Sequence, residues 1–419
     1  MKEMLKNAVL TSIERRYDMR RARDEAARCL LCYNPPCSTD CPANTDPARF
    51  IRAVRFGNIK GAAEIIRENN VLGGSCAYIC PCDRTCEYNC NRSKIDMPVR
   101  IGKLQQFVVE QEKKLGMQIL KAPAERRNGR IACIGAGAAS LACAVALAKE
   151  GYEVSVYEAL AAAGGMLSYC ILPSRLPQSV IDFDLSQVEK IGVKFIFNTH
   201  VGKDISFDKL RADYDAVFIG GGLWASRMLD IPGKELDGVM TAIQFLTTAR
   251  KYGEKIGSDV IVVDGGDVAM ECAVAAKQLG AKRVTVVYHR SLEEAPANMS
   301  ELLRVKQMGI SMVTEMVPVE ILNEGNKVVG MRFEGRDSYS ELKIKASEVV
   351  FAVGQTLGAI GSVVPTEKGL IAVNKGGQTL VAGVFAAGDA VNGGKTVTEA
   401  VNGGKIAAAS ILAYLRSKE

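Results

Sequence analysis

Residues 130–159, "RIACIGAGAASLACAVALAKEGYEVSVYEA", run from an apolar stretch through a glycine turn into a small-residue helix pattern and a second apolar stretch. That order predicts a strand, a helix and a parallel strand, the building unit of a nucleotide-binding α/β sheet. The turn reads Gly135-Ala136-Gly137-Ala138-Ala139-Ser140. A GxGxxG-like string alone is weak evidence, but this one follows a strand, opens a helix, and precedes Glu158 by the expected interval. Gly135 is expected to make the tight turn and Gly137 to let backbone approach a pyrophosphate, with the helix N-terminus facing its charge. Glu158 is placed to accept hydrogen bonds from an adenosine ribose. Ser140 stands where a third glycine is usual, and it is small enough for helix and strand to pack.

A second unit of the same texture starts near Asp259, "DVIVVDGGDVAMECAVAAKQLGAKRVTVVYHRS". Its turn reads Asp264-Gly265-Gly266-Asp267-Val268-Ala269, so an aspartate occupies the first-glycine position. Gly265, Gly266, Asp267 and Ala269 are the candidate nucleotide contacts here, and Asp264 would set like charge near a pyrophosphate. His289 and Arg290, at the end of the next strand, could receive a 2′-phosphate, which leans toward NADP. A third glycine-rich segment, "GVFAAGDAVNGGKTVTEAVNGGKIAAASIL", predicts a strand, a turn at Gly388-Asp389 and a helix starting near Thr396.

Ahead of these units the texture changes. Nine of the 13 cysteines lie between Cys29 and Cys90; Cys133, Cys143, Cys170 and Cys272 sit in apolar contexts and are expected in cores. "CLLCYNPPCSTDCP" (29–42) spaces its cysteines as CxxCx4CxxxCP. Disulfides do not suit a cytoplasmic chain, and zinc sites usually pair one CxxC with a distant pair, so iron–sulfur ligation is the favoured reading and zinc the alternative. In ferredoxin-type runs the fourth cysteine reaches a neighbouring cluster, which requires a second set of thiols. "CAYICPCDRTCEYNC" (76–90) provides it. Between the two runs, "DPARFIRAVRFGNIKGAAEIIREN" is helical in period, with Asp46-Pro47 as its start signal. "LGMQILKAPAERRNGR" (115–130) reads as a linker.

The chain has 419 residues, 48% hydrophobic and 24% charged, enough for two or three domains with real cores. No apolar run is long enough to span a bilayer and no h-region opens the sequence, so the expected location is cytoplasmic. Arg15-Arg16 resembles a twin-arginine signal, but a charged amphipathic pattern follows it. A net charge of +6, spread among acids, gives no case for nucleic acid. His200 and His289, the two histidines, sit in no nucleophile motif, so hydrolysis is not expected and no catalytic side chain is assigned.

The interlaced cysteine runs resemble the N-terminal two-cluster domain of dihydropyrimidine dehydrogenases, and the whole chain resembles the electron-input subunit of their bacterial two-subunit form. Glutamate synthase small subunits are cousins. The resemblance implies one [4Fe-4S] cluster on Cys29, Cys32, Cys37 and Cys90, and another on Cys41, Cys80 and Cys86 with Gln105 of "IGKLQQF" as fourth ligand. Cys76 matches a family cysteine that is not a ligand; Cys82 matches nothing in the pattern. It also implies FAD in the first nucleotide unit, through "GGM" (Gly164, Gly165, Met166), "ILPSRLP" with Arg175, and "FAAGDA" with Gly388 and Asp389, the helix from Thr396 pointing at the flavin. NADH is expected from the two-subunit relatives, so the nicotinamide donor is written NAD(P)H.

The expected fold is therefore multidomain: an α-helical two-cluster domain (1–126), a split FAD domain (127–238 and 352–419) and an NAD(P) domain (239–351), the latter two Rossmann-like. The implied function is to take a hydride from NAD(P)H onto FAD and pass single electrons through two clusters. A partner subunit with an FMN barrel and a ferredoxin-like domain would reduce uracil or thymine to the 5,6-dihydro form, in a hetero-oligomer. Two alternatives stand: a glutamate synthase small-subunit-like donor to an amidotransferase partner, and an electron conduit whose nicotinamide site is lost at Asp264.

Overall fold

The computed structural model describes residues 16–252, 256–358 and 363–418; Arg15 of the arginine pair lies outside them. The chain forms two compact units, one made of Met1–Gly164, Gln178–Gly220 and Ala372–Glu419, the other of Gly165–Pro177 and Gly221–Ile371.

The first unit begins with short helices: α1 (Met19–Ala27), α2 (Pro47–Arg55), α3 (Ile59–Asn69), α4 (Gly73–Ile79) and α5 (Ile101–Lys114). Asp46 starts α2 as its pattern predicts, accepting from the Arg49 N–H at 3.2 Å, with Pro47 fixing the first turn. The periodic text does not continue as one helix. Gly57, at φ +76°, ends α2, and Asn58 restarts the chain by accepting from the Gly61 N–H at 2.9 Å. Phe50, Ile51 and Val54 then pack with Ile66 and with Leu104, Phe107 and Val108 of α5 in one core. Residues 115–129 form no helix or strand, as expected of a linker.

Next come β1 (Arg130–Ile134), α6 (Ala138–Lys149), β2 (Glu153–Tyr157), α7 (Gln178–Lys190), β3 (Lys194–Ile196) and β4 (Ala216–Ile219). Asp184 of α7 reaches back to the helical segment. It accepts from the N–H groups of Gly74 at 3.2 Å and Ser75 at 2.7 Å, so it caps α4, and from Arg67 Nη1 at 2.6 Å. Arg67 also donates from Nε to Glu112 of α5 at 3.0 Å, and all three side chains are buried. Removing one member of a buried set like this typically costs about 3–5 kcal/mol, because the remaining charges are left uncompensated.

The second unit contains β5 (Val239–Thr241), α8 (Ala242–Tyr252), β6 (Asp259–Val263), α9 (Asp267–Gln278), β7 (Arg283–Val287), α10 (Met299–Gln307) and β8 (Ser311–Val313). An antiparallel meander follows, β9 (Met316–Glu324), β10 (Lys327–Gly335) and β11 (Glu341–Lys345), and then β12 (Glu348–Phe351). The chain finally returns to the first unit with β13 (Val384–Ala386) and α11 (Val397–Arg416).

Each unit is centred on a five-stranded parallel sheet. The orders are β13-β4-β1-β2-β3 and β5-β12-β6-β7-β8, the same arrangement twice. Buried strands such as "IACI", "AVFI" and "VIVV" read as continuous apolar runs because both sheet faces are covered. Cys133, Cys143, Cys170 and Cys272 are buried, in line with their apolar contexts. In the first unit α11 lies very close to α6. A Cβ on Gly404 would fall 2.1 Å from the Ala139 carbonyl oxygen, so only glycine permits this approach.

Candidate functional site

The turn after β1 has the geometry its glycines predict. Gly135 takes φ +84° and its N–H bonds to the Tyr157 carbonyl at 2.8 Å, tying the turn to the neighbouring strand. Gly137 caps α6 in extended conformation, so the helix's first N–H groups open at the turn. Ser140 is buried where Gly220 of the adjacent strand end comes close; a Cβ on Gly220 would fall 2.2 Å from its hydroxyl. Glu158 is 7% exposed, and its two carboxylate oxygens accept from the Ala136 N–H at 2.7 Å and the Leu160 N–H at 2.9 Å. Burial raises this carboxyl above the usual range, while those amides hold it down. Gly164 donates to the Ala136 carbonyl at 2.8 Å, and a Cβ on Gly388, at φ +75°, would lie 2.9 Å from the Ala139 side chain. Gly135, Gly137, Ser140, Glu158, Gly164 and Gly388 thus gather around one turn.

Asp389 follows Gly388 directly. Its carboxylate accepts from the Lys395 N–H at 3.2 Å and is raised by burial, a tie that shapes the loop leading into α11. Thr396 caps that helix as expected. Its side chain accepts from the Glu399 N–H at 3.3 Å while Glu399 accepts from the Thr396 N–H at 3.0 Å, a reciprocal capping box.

The second unit repeats the turn with different chemistry. Asp264 donates its N–H to the Val287 carbonyl at 3.0 Å, the bond Gly135 makes in the first unit, and takes φ +126°. A left-handed φ strains an L-residue, so Asp264 performs a glycine's task at a cost of roughly 1–3 kcal/mol. Gly265 must lack a Cβ, which would meet the Tyr288 ring at 2.7 Å; Gly266 caps α9, and Ala269 is buried. Asp267 accepts from the Asn298 N–H and side-chain amide, both at 2.6 Å. His289 and Arg290 are exposed at the end of β7, with His289 edge-on to Tyr288. Arg175 and Gly165 also belong to this unit. Arg175 pairs with Glu271 at 3.2 Å and Glu301 at 3.0 Å, so its guanidinium is engaged by carboxylates.

The cysteines form two groups. Cys37 is pushed up to about 12, first by burial and then by the neighbouring Cys90, Cys29 and Cys86; Cys29 is raised by burial and by Cys32 and Cys90. The Asn91 side-chain amide donates to Cys32 Sγ at 3.4 Å. Cys41, Cys80, Cys86 and Gln105 line one recess, together with Cys76, Cys82, Asn70 and Thr398. Gln105 donates its amide N–H to the Gly73 carbonyl at 2.7 Å, which leaves its oxygen as the remaining donor atom. Among the described residues no three Cys, His, Asp or Glu side chains converge to hold a single metal ion. A recess lined by several thiols together suits a multi-atom iron–sulfur cluster.

Two residues that the sequence did not single out join these groups. Thr398, in the first turn of α11, sits 3.9 Å from Cys80 Sγ and lines the recess. Lys405, on the same helix, donates to the carbonyls of Ala43 at 2.5 Å and Asn69 at 2.9 Å. Thr398 leaves no readable signal. Lys405 does, as a lone charge before the apolar "IAAAS".

Two family descriptions match the chain. The family described as dihydropyrimidine dehydrogenase domain II, 4Fe-4S cluster, matches residues 6–117, and that of pyridine nucleotide-disulphide oxidoreductases matches residues 129–404. The NAD-dependent dihydropyrimidine dehydrogenase subunit PreT of Escherichia coli K12 is 42% identical over 93% of each chain. The glutamate synthase [NADPH] small chain of the same organism is 31% identical, over 94% of this chain and 91% of its own. In fold, the thioredoxin reductase of T. acidophilum superposes with a TM-score of 0.57 at 21% identity, covering 70% of this chain and all of that one.

Proposed function

Because the chain belongs to the family of NAD-dependent dihydropyrimidine dehydrogenase subunits, we propose that it is the electron-input half of such an enzyme. It takes a hydride from NAD(P)H and delivers single electrons to a partner that reduces uracil or thymine to the 5,6-dihydropyrimidine. FAD supplies the needed conversion when bound, since it accepts electrons in pairs and releases them singly. Two [4Fe-4S] clusters form the relay.

In this reading Gly135, Gly137 and the α6 N-terminus hold the FAD pyrophosphate, Glu158 the ribose, and Gly388, Asp389 and the capped start of α11 the remainder. The reading assigns 1–126 to the helical cluster domain, 127–238 and 352–419 to the split flavin domain and 239–351 to the nicotinamide domain. Cys29, Cys32, Cys37 and Cys90 hold one cluster; Cys41, Cys80, Cys86 and Gln105 hold the other. Gly265, Gly266, Asp267, Ala269, His289 and Arg290 face the nicotinamide nucleotide. Arg175 keeps its place in the flavin motif as a residue that orders "ILPSRLP" through Glu271 and Glu301. The partner carries the FMN barrel and a ferredoxin-like domain.

The observation that carries the proposal is Thr398. It belongs to the helix that starts at the flavin-type motif, yet it meets Cys80 and lines the cysteine recess, so the two redox sites share a wall. Anaerobic titration of the purified chain with NADH, then NADPH, tests it through flavin and cluster absorbance. Bleaching of both chromophores is expected. Intact FAD and iron without bleaching by either nucleotide would favour the second reading, a conduit fed by its partner, for which the strained carboxylate at Asp264 is the motivating observation. Pyrimidine reduction by this chain alone would remove the need for a partner and sink the proposal.

A further inference from the structure

The recess of the second thiol group offers more donors than one cluster uses: Cys41, Cys76, Cys80, Cys82 and Cys86, besides Gln105. Cys76 is fully buried on α4 and receives the Asn70 side-chain amide at 3.3 Å. Cys82 is placed differently. It follows Cys80 by two residues and lines the recess beside Cys80 and Cys86. Its sulfur lies against Gly102, where a Cβ would come within 3.0 Å of it. Gly102 is three residues before Gln105 on α5, so the two share a helix face. The missing side chain at Gly102 lets the Cys82 sulfur settle against α5, in the recess that Gln105 also lines. A thiolate is the softer donor and competes well for iron.

On the reading that Cys41, Cys80 and Cys86 hold a cluster, we infer that Cys82 is a reserve fourth ligand, able to close the site in place of Gln105. In the exchange the amide oxygen leaves, the Cys82 sulfur binds and its proton passes to solvent; nothing is oxidised or reduced. The thiolate form carries one more negative charge than the amide form, which lowers the midpoint potential.

The intact chain is purified anaerobically as wild type, Gln105→Leu, Cys82→Ala, the Gln105→Leu/Cys82→Ala double variant and a Cys41→Ala/Cys86→Ala control, with iron content, FAD content and EPR-monitored redox titration as readouts. Each single variant at 105 or 82 is expected to keep wild-type iron, and Gln105→Leu to show a lower midpoint for one cluster. The double variant is expected to lose iron or gain a three-iron signal while keeping FAD. Iron loss or an unchanged or raised midpoint in Gln105→Leu overturns the inference, as does iron loss in Cys82→Ala or full iron in the double variant. The single-variant midpoint decides even if the double variant fails to fold. The joint variant Cys41→Ala/Cys86→Ala is the separate control, since Cys82 can replace at most one ligand: if its iron content equals wild type, no cluster sits there and the underlying reading fails instead.

Discussion

Replacing Gly404 by alanine tests the close approach of α11 to α6. In an exposed helix this change adds about 1 kcal/mol of stability, because glycine is the weaker helix former. Here the new methyl would sit 2.1 Å from the Ala139 carbonyl oxygen and 3.1 Å from the Cys143 nitrogen, whereas ordinary contact begins near 3.4 Å. Both obstacles are backbone, so α11 must retreat by about 1.3 Å, the difference between 3.4 and 2.1 Å. Overpacking of this kind costs roughly 1–3 kcal/mol, and rigid neighbours put it at the upper end, leaving a net loss of about 2 kcal/mol. With a urea slope of about 1–3 kcal/mol per molar, the midpoint falls by about 1 M. The chain's one tryptophan, Trp224, lies in the second unit, so its fluorescence reports that unit, while on the proposed FAD site flavin release reports the first. Gly404→Ala should lower the flavin-release midpoint and leave the Trp224 midpoint in place. Gly403→Ala, whose methyl would meet the Ala387 side chain at 3.1 Å and the Gly388 nitrogen at an ordinary 3.5 Å, should shift it far less. A flavin-release midpoint equal to or above wild type would refute the packing argument.

Asp264→Gly relieves the φ of +126° and withdraws a carboxylate from the turn. It should stabilise the second unit by about 1 kcal/mol in a Trp224-monitored melt and lower the KM for NADH; a weaker nucleotide affinity would show that Asp264 contacts the ligand favourably. Thr398→Val removes the hydroxyl 3.9 Å from Cys80. Loss of a donor to cluster sulfur lowers the midpoint of one cluster in a redox titration, and an unchanged value means that the hydroxyl does not donate. Arg67→Met leaves Glu112 and Asp184 facing each other unpaired, so the flavin-release midpoint should drop more than in Gly404→Ala, in keeping with about 3–5 kcal/mol for a broken buried ion set; a smaller drop would mean that the pocket admits water.

What the sequence made legible was local chemistry. Asp46-Pro47, Thr396 with Glu399, and the glycine turns at 135 and 265 are read from adjacent residues, since caps and tight turns depend on neighbours within a few positions. The paired parallel sheets follow from the repeated strand–turn–helix texture, which fixes right-handed crossovers. The break at Gly57 was in plain view but was absorbed by an apolar period that holds on both sides of it. Less legible were contacts between distant segments. Thr398 and Cys80 are 318 residues apart, and Arg67 and Asp184 are 117 apart. Nothing in the period or composition around Asp184 marks it as the cap of a cysteine-bearing helix. Arg175 shows the opposite limit: a motif located it, but its guanidinium is taken up by Glu271 and Glu301, partners no motif contains.

The ties across residue 126 bear on how such a chain can be inherited. Arg67 and Asp184, Lys149 with the end of α3, and Lys405 with Ala43 and Asn69 stitch the cysteine segment to helices that come after the linker. A recombination event that cut at the linker would leave a buried arginine, two lysines and an uncapped cysteine helix without their counterparts. The cysteine segment and the first nucleotide fold are therefore expected to travel together through gene fusions, with the last helix of the chain accompanying them, while the second unit is the piece whose loss or replacement leaves these particular bonds intact.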